Sequence, residues 1–196
     1  MGQSQSTRRP EPGATYRAKA ASEAQAQIDA SRKAKAASRN SDHRSARAHS
    51  IEAQMHGKKM NEYHALASSE VFRYHNPKYP STAFSFFGAL FSLVKTPPND
   101  LSQLDLHGQR VAEAVPMVKD HLRMCRKEGI KRTLVITGRG VHSLGGVPRI
   151  KPEVERLLAE MGVRYWSRAE GGAFMVECGR EEGGGIVGWI WRGIFG

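Results

Sequence analysis

The chain has 196 residues, 39% hydrophobic and 25% charged, enough for one ordinary domain with a smaller one attached and too few for a large multidomain enzyme. Lysine and arginine outnumber aspartate and glutamate by 30 to 19, giving a net charge of +11 and a pI near 10.0; that balance points to a polyanionic partner, nucleic acid before anionic membrane. Two cysteines, Cys125 and Cys178, exclude a disulfide framework, no Cys/His spacing suits zinc, and the longest apolar run, residues 83–94, is well short of the ~20 residues of a spanning helix.

Residues 1–13 read as a disordered polar arm. Met1-Gly2 with Ser6 fits the pattern for N-terminal myristoylation, with Arg8, Arg9, Arg17 and Lys19 as the second membrane signal. Residues 14–39, rich in Ala, Lys, Arg, Gln and Glu without Gly or Pro, are strongly helical and are expected to pack through Tyr16, Ala20, Ala24 and Ile28. Asn40-Ser41-Asp42 interrupts that helix and offers a new N-cap. A short helix to His49 is expected, then a third capped by Ser50. Its stripe is Met60, Tyr63, Ala67, Val71 and Tyr74, and Asn76-Pro77 ends it. Residues 14–76 thus read as a small antiparallel helical domain with a basic solvent face. Residues 1–98 carry 15 basic and 7 acidic side chains, against 15 and 12 in residues 99–196.

Residues 77–101 form a Pro-bracketed apolar connector containing Phe84, Phe86, Phe87, Leu90 and Phe91, expected to cover one domain or dock between two, with membrane contact as the alternative. The second half changes period. Leu104-Asp105-Leu106-His107-Gly108 reads as a strand and turn. Val111, Val115, Val118, Leu122 and Cys125 mark a helix over 111–127 that Gly129 closes, with Pro116 predicting a kink or early 3₁₀ turn. Residues 133–137 read as a buried strand, and Pro152 as the first residue of a helix with Val154, Leu157, Leu158 and Met161 inward. Residues 163–167 and 173–178 read as a hairpin around Glu170-Gly171-Gly172. The fold class is α+β: a helical unit followed by a β-α-β-α-β-β mixed sheet over 102–180, its first strands parallel and its last hairpin antiparallel. Residues 181–196, with Trp189 and Trp191, read as a Gly/Trp-rich tail that docks on its own domain, with a partner or membrane interface as the alternative.

Ligands of βα sheets sit at the carboxyl ends of the strands, and two segments end there. Alternation along the first puts Asp105 and His107 on one face, opposite Leu104 and Leu106. The second, Thr137-Gly138-Arg139-Gly140-Val141-His142-Ser143, offers a tight turn, amides for an anion and a planar guanidinium for phosphate. Asp105, His107, Arg139 and His142 are expected on one rim, with Gly138, Gly140, Ser143 and Lys151 as the phosphate-binding set. There is no Walker Lys-Ser/Thr, no Gly-x-Ser-x-Gly and no HExxH, so nucleotide hydrolysis, serine-hydrolase chemistry and zinc proteolysis lack support.

LDLHG at 104–108 and TGRGVHS at 137–143 resemble the two signature motifs of the Smr (small MutS-related) domain, and EGGAF at 170–174 is similar to that family's final hairpin. The helices ending in SEVFRYHNP resemble the helical domain of unknown function that often precedes Smr in eukaryotic proteins, and the short layout resembles fungal members. The resemblance implies a fold like the C-terminal domain of bacterial translation initiation factor three. It also implies nuclease activity: relatives nick DNA or cleave RNA, some of them in ribosome-linked mRNA surveillance. Asp105 and His107 match the first motif; Gly138, Arg139, Gly140 and His142 match the second. Val141 stands where the family commonly has Asn, and Pro116 is atypical.

The residue types suit a phosphodiesterase, which needs a base for the nucleophile, an acid for the leaving oxygen and positive charge on the phosphorane. The expected roles are His107 as general base oriented by Asp105, Arg139 with the Gly138 and Gly140 amides on phosphate, and His142 as general acid or second phosphate ligand. On RNA the nucleophile is the 2′-OH, giving a 2′,3′-cyclic phosphate and a 5′-OH. No cofactor is required on this route; the alternative is Mg²⁺ held partly by Asp105 and activating water. RNA is the expected partner, with DNA and the ribosome as further ones, and the cytoplasm the expected location, with the nucleus as alternative. The competing readings are a non-catalytic RNA-, DNA- or ribosome-binding module, a DNA-nicking enzyme, and a membrane-associated adaptor.

Overall fold

The computed structural model describes residues 10–80, 100–140, 146–168 and 171–178. Gly2, the apolar run at 83–94, His142, Ser143 and the tail with Trp189 and Trp191 lie outside the described residues. The chain divides into two compact units, Met1–Tyr74 and His75–Gly196.

The first unit is built on α1 (Ala14–Arg39) and α2 (His43–His75), whose last residue falls in the second unit. The helices run antiparallel. The Tyr16 and Tyr63 rings stack at 6.4 Å, and Glu23 Oε2 meets His56 Nδ1 at 2.6 Å. A Cβ on Gly13 would lie 2.9 Å from the Ala67 carbonyl oxygen. Small residues make this approach possible: Ala20, Ala30, Ala53 and Ala67 are buried. The expected break at Ser50 does not occur, and α2 is continuous across it. No proline interrupts 43–75, and a serine alone does not stop a helix that tertiary packing supports. The expected stripes also reach too far, since Ile28 is 52% and Tyr74 67% exposed.

The turn between these helices explains itself. Asp42 caps α2, accepting the Ser45 amide at 3.0 Å. The end of α1 is closed by bonds from the Ser41 amide to the Ser38 carbonyl and from the Asp42 amide to the Ala37 carbonyl. That closure puts Ser41 at φ 59, the left-handed conformation usually given to glycine. Ser41→Gly is therefore expected to stabilise the protein by about 1 kcal/mol, read as a higher urea midpoint at unchanged slope; an unchanged or lower midpoint would refute the strain.

The second unit contains β1 (Gln103–Asp105), α3 (Val111–Lys127), β2 (Arg132–Ile136), α4 (Ile150–Glu160), β3 (Tyr165–Arg168) and β4 (Ala173–Glu177). This is the expected β-α-β-α-β-β order. β1 pairs parallel with β2, and β4 pairs antiparallel with both β2 and β3, giving the sheet order β1-β2-β4-β3. The hairpin thus inserts its second strand into the middle of the sheet. Leu104, Val118, Leu122, Val135, Leu158 and Phe174 are among its fully buried side chains. α3 continues through Pro116 as an α-helix, where a kink or a 3₁₀ turn was expected. α4 starts two residues before Pro152, so the proline occupies the first turn, where its missing N–H costs no bond. No described helix is long and apolar enough to cross a membrane.

A polar chain runs through this core. The Thr133 hydroxyl donates to the Leu101 carbonyl at 2.9 Å, so its oxygen accepts from His121 Nε2 at 2.7 Å. The other ring nitrogen, Nδ1, then accepts from the Tyr79 hydroxyl at 2.8 Å. His121 is fully buried, and burial pushes its pKa down to about 4. Cys125 and Cys178 are buried free thiols; the neighbouring Cys178 thiol and burial push the Cys125 thiol up, as suits an inert core cysteine.

Candidate functional site

The site begins with the pleat of β1. Leu104 and Leu106 are fully buried, which turns Asp105 and His107 to the opposite face. Asp105 Oδ1 accepts from the His107 backbone amide at 2.8 Å and meets His107 Nδ1 at 2.6 Å. A carboxylate only accepts, so Nδ1 carries the proton and Nε2 of the neutral ring is the basic nitrogen. The Asp105 side chain is 18% exposed and that of His107 49%. The carboxylate is held, while the imidazole is open to a large substrate.

The second motif meets the first at one atom. A Cβ on Gly138 would lie 3.1 Å from His107 Nε2, and Gly138 has φ 74. A side chain at 138 would crowd the basic nitrogen. The Gly138 amide, however, donates to the Gly172 carbonyl at 3.0 Å. This corrects the expectation that both glycine amides hold phosphate: the Gly138 N–H is spent on the fold. Gly172 also accepts the Thr137 amide at 3.0 Å and the Thr137 hydroxyl at 3.3 Å, so the Gly172 carbonyl of the hairpin anchors the TGRG turn. Gly140 has φ 78 and passes so close to Pro148 that a Cβ would lie 2.4 Å from the proline nitrogen. Arg139, between these glycines, is exposed.

Lys151 stands in the first turn of α4 with Nζ 5.9 Å from the centre of the Phe174 ring. The same ammonium lies 3.1 Å from where a Cβ on Gly171 would be. It therefore lies against the hairpin turn that carries Gly172. The structure thus brings together Asp105, His107 and Gly138, ties Gly138 to the hairpin, and sets Arg139 and Gly140 on the same turn.

Two residues of this site were missed from sequence. The Asn76 amide Nδ2 donates to the Asp105 carbonyl at 2.8 Å, and Asn76 Oδ1 accepts the Asp105 amide at 2.8 Å. Asn76 thereby pairs with the free edge of β1 as a neighbouring strand would. His75 Nδ1 lies 4.0 Å from Asp105 Oδ2, and its ring centre is 5.8 Å from that of His107. The sequence marked Asn76-Pro77 only as a helix stop; the histidine directly before it was the available signal.

Comparison with known proteins places these features. Residues 14–76 match the domain of unknown function DUF1771, and residues 104–177 match the Smr domain. A Smr domain-containing protein of Schizosaccharomyces pombe is 26% identical over 133 residues, 67% of this chain and 55% of its own length. Endonuclease NBR9 of Saccharomyces cerevisiae is 29% identical over 77 residues, 39% of this chain and 32% of its own. The chain therefore spans about half the length of the first of these curated relatives and a third of the second. The crystal structure of the human small-MutS related domain shares 38% identity, covering 38% of this chain and 96% of that domain, with a TM-score of 0.33. With both signature motifs meeting at His107, the chain belongs to the Smr-domain proteins, with a DUF1771 domain ahead of its Smr domain.

Proposed function

We propose that this protein is an endoribonuclease that cleaves RNA by attack of the 2′-OH, without a metal cofactor, in ribosome-linked mRNA surveillance in the cytoplasm. The observation that carries the reading is the Asp105–His107 pair, 2.6 Å apart, with the basic Nε2 against Gly138 of the second motif. An imidazole oriented by a carboxylate is a general base in waiting. Arg139, exposed on the turn that starts at Gly138, supplies a planar cation for the phosphorane oxygens. Ser143 and His142 follow in the same motif and are the further phosphate ligands of this reading.

The Smr family, whose members bind nucleic acids and in some cases cleave them, supports the class of reaction, as does the relative named as an endonuclease. The net charge of +11 supplies sequence-independent attraction to phosphate. The donor set fits Mg²⁺ poorly. Asp105 Oδ1 is committed to His107, leaving one carboxylate oxygen where a hard cation prefers several.

The test uses purified protein and end-labelled, partly structured RNA, with Mg²⁺ or with EDTA, followed by analysis of the product ends. A 2′,3′-cyclic phosphate and a 5′-OH formed in EDTA are expected. Cleavage that requires Mg²⁺, or that extends to DNA, would replace the 2′-OH with a metal-activated water. Salt-sensitive binding without any cleavage would make the protein a binding module.

A further inference from the structure

The carboxylate of Asp105 has two oxygens and faces two histidines. Oδ1 holds His107 Nδ1 at 2.6 Å, and Oδ2 lies 4.0 Å from His75 Nδ1. The two imidazoles flank one acid with their ring centres 5.8 Å apart, and the His75 side chain is 29% exposed. His75 is not part of the Smr match, which starts at 104; it lies within the DUF1771 match, which ends at 76. Its placement is firm, because the next residue, Asn76, grips both the amide and the carbonyl of Asp105 at 2.8 Å.

We propose that His75 is the general acid of this site, the partner of His107 in cleaving the phosphodiester. The inference rests on the ribonuclease reading above and deepens it. Transesterification moves two protons. His107 Nε2 takes the proton of the 2′-OH as the 2′-oxygen bonds to phosphorus. The bond from phosphorus to the 5′-oxygen breaks, and that oxygen takes a proton from the His75 imidazolium. The products are the cyclic phosphate and the 5′-OH, and both histidines end in the opposite protonation state. With ring centres 5.8 Å apart, the two imidazoles are close enough to serve the two oxygens, attacking and leaving, of one phosphodiester. The DUF1771 match then contributes to the chemistry through its last two residues: His75 as the acid, and Asn76 as the positioning residue that seats Asp105.

The leaving group gives the decisive test. A 5′-bridging sulfur at the mapped cleavage site leaves as a thiolate and needs no proton, whereas the natural 5′-oxygen does. In the full-length protein His75→Ala and His75→Gln are both expected to slow cleavage of ordinary RNA at least ~10²-fold and to cleave the sulfur-substituted RNA within a few-fold of the wild-type rate. Asn76→Ala, which unseats Asp105, should slow both substrates. Equal loss on both substrates in the His75 variants would show a structural role only, and no loss on either would exclude His75 from the reaction. If the wild-type protein cleaves neither substrate, the ribonuclease reading itself falls, which is a separate result.

Discussion

His107→Ala is expected to lower RNA cleavage by about 10²–10⁴-fold while leaving RNA affinity within a few-fold of wild type. The separation follows from what the side chain touches. The His107 side chain is 49% exposed and, among the described residues, is held by the Asp105 carboxylate at 2.6 Å, so its removal leaves the buried leucines of β1 in place. On the proposed function, binding would rest on the dispersed positive charge, which this variant keeps. Asp105→Asn is the companion test. An amide can donate to Nδ1 and turn the imidazole to the tautomer protonated at Nε2, which removes the basic lone pair without removing the ring. Asp105→Asn should therefore approach the His107→Ala loss in rate. Measured in single-turnover cleavage with parallel filter binding, a His107→Ala rate within tenfold of wild type would remove His107 as the base. A loss of affinity equal to the loss of rate would make it a binding residue instead.

The legible part of this site was the part that local period controls. Leu104 and Leu106 must enter the core, so Asp105 and His107 must share the other face, and no long-range information is needed. The turn glycines were legible for the same reason, although their purpose was only half read. Gly138 makes the expected tight turn, at positive φ, yet its amide serves the Gly172 carbonyl, and that depends on a pairing 34 positions further along the chain. The insertion of β4 between β2 and β3 is likewise a matter of long-range partner choice, to which the alternation of neither strand is sensitive. Asn76 looked like punctuation because Asn-Pro ends helices; nothing within a few residues shows that its amide will clamp a strand 29 positions away. In α2 the error went the other way: a local cap signal at Ser50 was overridden by the helix around it.

His121 was hidden by the same logic, since the spacing of α3 drew attention to its neighbours Leu122 and Cys125. Its burial has the largest expected consequence for stability. The folded state holds its pKa near 4, against 6.5 for the free side chain. The unfolded chain therefore binds more protons between these values, and stability must rise with pH across that window. The contribution is complete above pH 6.5 and is lost as pH falls toward 4. The loss amounts to about 2 kcal/mol by pH 5 and about 3 kcal/mol by pH 4. The cause is geometric as well as dielectric. Nδ1 must accept from the Tyr79 hydroxyl, and a proton there would set a donor against a donor unless that hydroxyl turned; the nearest other titratable group, Cys125, lies 3.5 Å from Nε2 and offers no charge to offset it. Urea unfolding at pH 7, 6, 5 and 4 should show this fall, and His121→Leu should be less stable at pH 7 but flatter between pH 6.5 and 4. Carboxylates that titrate lower act equally in both proteins, so the difference in slope isolates the histidine. Identical slopes would mean that His121 accepts its proton in the folded state as readily as in the unfolded one, and that the Tyr79–His121–Thr133 chain rearranges to permit it.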